Sequence, residues 1–396
     1  MCWLDRQASL LNRALIKGYQ KTLSPDQGRF NPLFKGKICA HEPHCSEYAL
    51  QCLQRYGFVH SVPKILKRVL SCTPQKMKTY DPSKYRVIFF SSAPIGIPFF
   101  EEIAQDKRFE IVGVVTQPDK PVGRGLQIQE NIVKTTAKAY FQTNESDLTQ
   151  DIQTPTSINP EKSEEGKAFY ERLQSKQADM FIVIAYGKIL PQKILEMPKF
   201  WAINVHGSLL PKYRGASPLQ SVFLHKETKS WLTIMKMDAG MDTWEIIDQL
   251  SFPLQFHWTV KELIEALCKV WPKFLNDTLR KFAKGEMTPE KQDENQVILT
   301  KKIEKADGAF EIAIDPLEEI YTKYRAFFLR PKLWCTQQGK RVVIEKLILD
   351  EKLFETHKKE PLITGKTLNP AVKEIALKPE GKKAMDRASF ANGYVK

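Results

Sequence analysis

Beyond residue 84, short apolar runs alternate with helix-periodic stretches. RVIFF at 86–90, EIVGVVTQ at 110–117, MFIVIAYG at 180–187, INVHG at 203–207 and LTIMKMD at 232–238 are nearly continuously apolar. That is the pattern of strands covered on both faces, as in a parallel sheet. IPFFEEIAQD and LPQKILEM, between them, space their apolar residues as helices do. The alternation predicts a doubly wound, Rossmann-like α/β domain, whose ligands bind outside the carboxyl ends of the strands. The polar tract QTNESDLTQDIQTPTSINPEKSEEG interrupts the pattern and is expected to be a surface loop.

The two ends of the chain read differently. ASLLNRALIKGYQKTLSP puts Leu11, Ala14, Leu15 and Tyr19 at helical spacing before Pro25. CSEYALQCLQRYG offers Ser46 as a helix cap, and SVPKILKRVLSC sets Lys64, Lys67 and Arg68 against Ile65, Leu66, Val69 and Leu70. These predict a small helical module with a basic face. At the other end, the charged stretch FAKGEMTPEKQDENQVILT reads as a linker, after which AFEIAI, KRVVIEKLIL and VKEIALKP predict a small β-barrel-like domain. The expected boundaries are 1–83, 84–280 and 297–396.

Composition narrows the classes. With 396 residues, 42% hydrophobic and 27% charged, the chain has enough apolar content for real cores, and no apolar run reaches the ~20 residues of a spanning helix. The start MCWLDRQASLLNR lacks the order of a secretory signal, and seven cysteines form no regular framework, so a reducing cytoplasmic setting is expected. The net charge of +14 is uneven: residues 1–83 carry +8, 84–300 balance, and 301–396 carry +6. Basic ends around a neutral middle serve solubility or mark contact with nucleic acid or an anionic membrane surface.

Candidate chemistry sits in FWAINVHGSLLPKYRGASP. Asn204 and His206 are two apart on a strand and so share a side, Gly207 lets the chain turn, and PKYRG forms a basic loop at the mouth. The strand LTIMKMD is expected to run out at the same edge and deliver Asp238 and Asp242. An amide, an imidazole and a carboxylate suit acyl transfer to an amine. The first two stabilise the oxyanion of a tetrahedral intermediate, while the carboxylate holds the imidazole or helps remove the amine proton. A bare Asn-x-His is more often a pair of strand-end side chains bonded to backbone.

INVHGSLLPKYRGASP followed by TIMKMDAGMDT, with VVTQPDKPVGRG, IVIAYGKILP, KADGAFEI, YRAF and GKRVVI, resembles the formyltransferase family, and within it the branch acting on methionyl-tRNA. The resemblance covers roughly residues 84–396. It implies 10-formyltetrahydrofolate as formyl donor, initiator methionyl-tRNA as partner, and no metal. It places Asn204, His206 and Asp242 on the family's catalytic positions and Ser208, Leu209, Leu210 and Pro211 where the family holds the folate. Arg124 falls on the arginine that approaches the tRNA acceptor end, and the C-terminal domain on an oligonucleotide-binding β-barrel that grips the tRNA body. Two other readings share these residues: a formyltransferase acting on another amine, and a membrane-associated binding protein whose transferase half is inactive.

The chain departs from the family where it has Ser92, Ala93 and Pro94 for a usual Gly-Thr-Pro, and a serine there is expected to lack the needed backbone freedom. Trp201, Trp231 and Trp244 stand where glycine is common, which points either to UGA codons read as glycine in the source organism or to genuine tryptophans, of which Trp244 would crowd the site beside Asp242 and leave an inactive relative. Sequencing those three codons tests this, and a UGG at any of them removes the idea for that site.

LIKGYQKTLSP, CAHEPHCSEYAL, a Cys-x-Pro and YDP resemble the membrane protein insertion efficiency factor family over about residues 10–82, through Cys39, Pro43, Cys45, Ser46, Tyr48, Cys72, Pro74 and Asp81. That resemblance implies a peripheral protein of the cytoplasmic membrane face that aids insertion of membrane proteins. Cys39 and Cys45 are spaced unlike a zinc knuckle, so Cys39, His41, His44, Cys45 and Cys72 are expected to pack or pair rather than bind metal.

Overall fold

The computed structural model describes residues 15–17, 45–70, 84–122, 126–143, 151–237, 240, 242–283, 285–365, 367–386 and 388–390. They fall into two compact units, divided after Tyr85. In the first, Leu15–Lys17 are helical, the only part of the first expected helix among the described residues. Cys45–Leu70 is helical with a break at Gly57, whose φ of +74° lies in the region that favours glycine. The break yields the two helices that the sequence predicts. Ser61 sits across it, its Oγ donating to the carbonyls of Gly57 and Cys52, while Tyr48, Ala49, Cys52 and Leu53 bury the apolar face.

The second unit is built on a seven-stranded sheet. Its strands are β1 Tyr85–Ser91, β2 Phe109–Val115, β5 Ile152–Gln153, β6 Met180–Ile184, β7 Trp201–His206, β9 Lys229–Lys236 and β10 Ile246–Pro253, in the order β10-β9-β7-β6-β1-β2-β5. Two short pairs lie outside it: β3 Lys120–Val122 with β4 Gln127–Gln129, and β8 Lys212–Gly215 with β11 Ile298–Thr300. β1, β6 and β7 are parallel to one another, and β5 is parallel to β2. The central ones are buried on both faces, as their runs of Val, Ile and Phe require: every residue of Val87–Phe90 and Met180–Ile184 is buried, each worth about 1.5–3 kcal/mol of transfer free energy for a Val, Ile or Phe.

One expectation is overturned at the edge. LTIMKMD does not run parallel to INVHG; β9 lies beside β7 but antiparallel to it, with His206 opposite Thr233 and Ile203 opposite Lys236. Its exit therefore lies beside the start of β7, and Asp242 reaches His206 only because the segment between β9 and β10 folds back. The parallel reading failed because a fully buried run has the same composition in either direction.

Helices missed by the sequence reading complete the unit. Ile132–Thr143 and Pro218–Leu224 follow strands, and Val260–Ala283 carries a long apolar stripe, Leu263, Leu267, Trp271, Leu275 and Leu279, although its end was expected to be linker. The polar tract is not all loop: Glu164–Ser175 is a helix capped by the Ser163 hydroxyl, which accepts from the Gly166 N–H.

The C-terminal portion is small and largely β. β12 Trp334–Gln337, β13 Lys340–Leu349 and β16 Val372–Pro379 form an antiparallel sheet, and β14 Ile363–Thr364 pairs with β15 Thr367–Leu368. AFEIAI is not a strand: Ala309 makes one isolated bridge to Trp334 before a turn. The helix Leu317–Phe327 fastens this portion to the sheet domain. Arg325 donates to the carbonyls of Trp258 and Gln255 at 2.7 and 2.8 Å and stacks over Phe223, while the Tyr321 hydroxyl donates to Phe256.

Candidate active site

The carboxyl end of β7 passes into a tight turn. A Cβ at Gly207 would come within 2.8 Å of the Leu219 side-chain tip, which would have to shift. The following Ser208, Leu209, Leu210 and Pro211 are shaped by Thr233 of the neighbouring strand. Its buried hydroxyl donates to the Ser208 carbonyl at 2.6 Å and accepts from the Leu210 N–H at 3.3 Å and from Gln249 Nε2 at 2.9 Å. Gln249 also donates to the Leu210 carbonyl, and the Ser208 hydroxyl to the carbonyl of Lys212.

His206 and Asp242 meet beside this turn. The His206 ring is buried, with Nε2 at 3.0 Å from the Tyr213 carbonyl and Nδ1 at 3.6 Å from Asp242 Oδ2. A carbonyl only accepts, so Nε2 carries a hydrogen, and Nδ1 is the ring nitrogen left to exchange a proton. The gap to Asp242 exceeds a hydrogen bond. Asp242 itself has φ +56°, in the left-handed region that few non-glycine residues adopt, and its Oδ2 accepts from the Gly215 N–H at 2.9 Å. Asn204 is half-buried on the same side of β7 as His206, and its side chain has no hydrogen-bond partner among the described residues. Asp238 and Arg124 lie outside the described residues. The chain on either side of Arg124 is the exposed β3–β4 hairpin, with Leu126 and Ile128 open to solvent.

The expected basic loop is not free charge at the mouth. Arg214 is buried and turned onto the segment after the long helix, pairing both guanidinium nitrogens with Glu294 at 2.8 and 3.1 Å and donating through Nε to Gln292. That hydrogen bond holds the Glu294 carboxyl below its usual range. Tyr213, in the same loop, bonds Glu227, and burial together with that carboxylate pushes its phenol up. Sequence reading missed Gln292, Glu294 and Thr233 as parts of the site, since nothing in their spacing links positions so far apart in the chain.

The departures noted in the sequence find places. Ser92 does not have a positive φ, so its backbone does not need glycine; its hydroxyl accepts from the Gln117 N–H and its carbonyl from Asn131. Trp201, Trp231 and Trp244 also avoid positive φ. Trp201 packs at a tilt against Phe282 with ring centroids 4.2 Å apart, while Trp244 is exposed near Asp242. Of the five Cys and His residues weighed as metal ligands, Cys39, His41, His44 and Cys72 lie outside the described residues, among which no cluster able to hold a metal occurs. Nor is any described helix long and apolar enough to cross a membrane.

Comparison with known proteins finds three family models along the chain. Residues 85–279 match the formyl transferase family model and 302–395 that of the formyl transferase C-terminal domain, while 8–84 match the membrane protein insertion efficiency factor model. A methionyl-tRNA formyltransferase of Acidobacterium capsulatum is 33% identical over 267 residues, covering 67% of this chain and 81% of its own. Another, of Caldicellulosiruptor saccharolyticus, is 30% identical over 316 residues, 78% of this chain and 96% of its own. A sugar 3-N-formyltransferase crystallised with dTDP and 5-N-formyl-THF shares the fold at 18% identity, with a TM-score of 0.50 over 76% of this chain and 99% of its own.

Proposed function

The chain belongs to the formyltransferase family, and from that premise we propose that it moves the formyl group of 10-formyltetrahydrofolate onto the amino group of methionyl initiator tRNA. The observation that carries this reading is the convergence of His206 and Asp242 beside the folded Ser208–Pro211 turn. The neutral methionyl amine attacks the formyl carbon, and the carbonyl electron pair moves onto oxygen. Asn204 and the His206 imidazolium stabilise that oxyanion, and Asp242 stabilises the imidazolium. Collapse breaks the bond to N10, which takes up a proton as the amine nitrogen gives one up, and tetrahydrofolate leaves. The folate is held at the Ser208–Pro211 turn.

Incubation with 10-formyltetrahydrofolate and charged initiator tRNA is expected to yield N-formylmethionyl-tRNA. No product at micromolar enzyme overturns the reading. Arg124 is taken to meet the tRNA acceptor end, so Arg124→Ala is expected to raise KM for tRNA about tenfold while kcat changes less than threefold. A fall in kcat at unchanged KM would contradict that role. The C-terminal portion, net +6 over residues 301–396, grips the tRNA body through phosphates.

For the front module the reading is peripheral contact with an anionic membrane surface in support of protein insertion, based on its family match and its net +8. The full chain is expected to sediment with phosphatidylserine-containing vesicles and to be released by salt, but not to sediment with neutral ones. Equal binding to both would exclude an electrostatic contact.

A further inference from the structure

We propose that Gln292, on the segment leading into the C-terminal portion, is a positioning residue that holds Asp242 in its reactive conformation. The inference rests on the role given to Asp242 above. Asp242 occupies the left-handed region at φ +56°, uncommon for a side-chain-bearing residue although aspartate adopts it more readily than most. Two groups hold it. The Gly215 N–H fixes its carboxylate at 2.9 Å, and Gln292 Nε2 donates to its carbonyl at 2.9 Å and to that of Trp244 at 2.6 Å.

One amide therefore spans the whole turn. Its orientation is set by its partners, since Oε1 accepts from Arg214 Nε at 3.0 Å, which leaves the NH2 group facing the two carbonyls. Arg214 is buried and bound to Glu294, and the adjacent β8 pairs with β11, where the Thr300 hydroxyl donates to the Arg214 carbonyl. Thus β8 secures Asp242 twice: by its side chain through Gly215, and by its main chain through Arg214 and Gln292. The segment that joins the two domains is in this way part of the frame that sets the distance from Asp242 to His206. Small misplacements of a reacting group cost orders of magnitude in rate.

Gln292→Glu isolates the effect. It keeps the size and the acceptor for Arg214, but a carboxylate cannot donate, and it places negative charge against two carbonyls. The expected result is a fall in formyl-transfer kcat of at least about tenfold, with KM for tRNA and for folate within about threefold, and with the same direction in Gln292→Ala. Amide exchange at the Gly215 N–H is expected to quicken at least about tenfold in both variants. A mere tether between domains would instead raise KM for tRNA and leave kcat and Gly215 unchanged; that outcome overturns the proposal. The exchange measurement needs no turnover. A wild-type chain that formylates nothing therefore overturns the proposed function, while unchanged exchange at Gly215 overturns the role of Gln292.

Discussion

His206→Ala is expected to lower kcat for formyl transfer at least about a thousandfold, with KM for tRNA and folate within about threefold. Removal of one oxyanion donor alone costs about 10²–10³ in rate, and loss of the group that handles the proton adds to it. The ring has a structural task too, because Nε2 donates to the buried Tyr213 carbonyl and Nδ1 faces Asp242. Alanine leaves that carbonyl unpaired, which costs about 1–3 kcal/mol, so the variant must be shown to be folded and to bind tRNA. His206→Gln restores an amide that can reach the same carbonyl but cannot become a cation. It is expected to recover stability without recovering kcat. Turnover within tenfold of wild type in either variant would remove His206 from the chemistry.

The site was legible where its parts are close in sequence. Asn204, His206 and the Ser208–Pro211 turn share one strand and its exit, so period-two spacing and one glycine were enough to place them together. Asp242 was expected for the wrong geometric reason. Its strand is antiparallel, and it arrives by a folded-back turn whose left-handed residue leaves no mark in composition. Arg214 shows the limit in another form. In PKYRG it looks like charge offered to a ligand, yet it is buried against Glu294, eighty residues on in sequence. Only the fold reveals a partner that distant. The sheet was read from its apolar runs, whereas the helix Val260–Ala283 was passed over because Pro272 and a charged face obscured its stripe.

Thr233→Val should disturb the folate turn more than any other single exchange of equal volume. The Thr233 side chain is fully buried, and its one oxygen serves the Ser208 carbonyl, the Leu210 N–H and Gln249 Nε2. Valine fills nearly the same space, so the change leaves packing alone and removes hydrogen bonds. Each buried group stranded costs about 1–3 kcal/mol; the Leu210 bond is long and Gln249 retains the Leu210 carbonyl, so a total of about 2–4 kcal/mol is expected rather than the full sum. The turn can recover part of that by reshaping, which moves the very groups assigned to the folate. KM for 10-formyltetrahydrofolate should therefore rise about tenfold, with kcat at saturation within about threefold. Thr233→Ser keeps the oxygen and sacrifices only a methyl, so it should stay near wild type in folate KM. Equal behaviour of the valine and serine variants would show that the hydroxyl does not shape the turn, and a valine variant with unchanged folate KM would move the folate away from Ser208–Pro211.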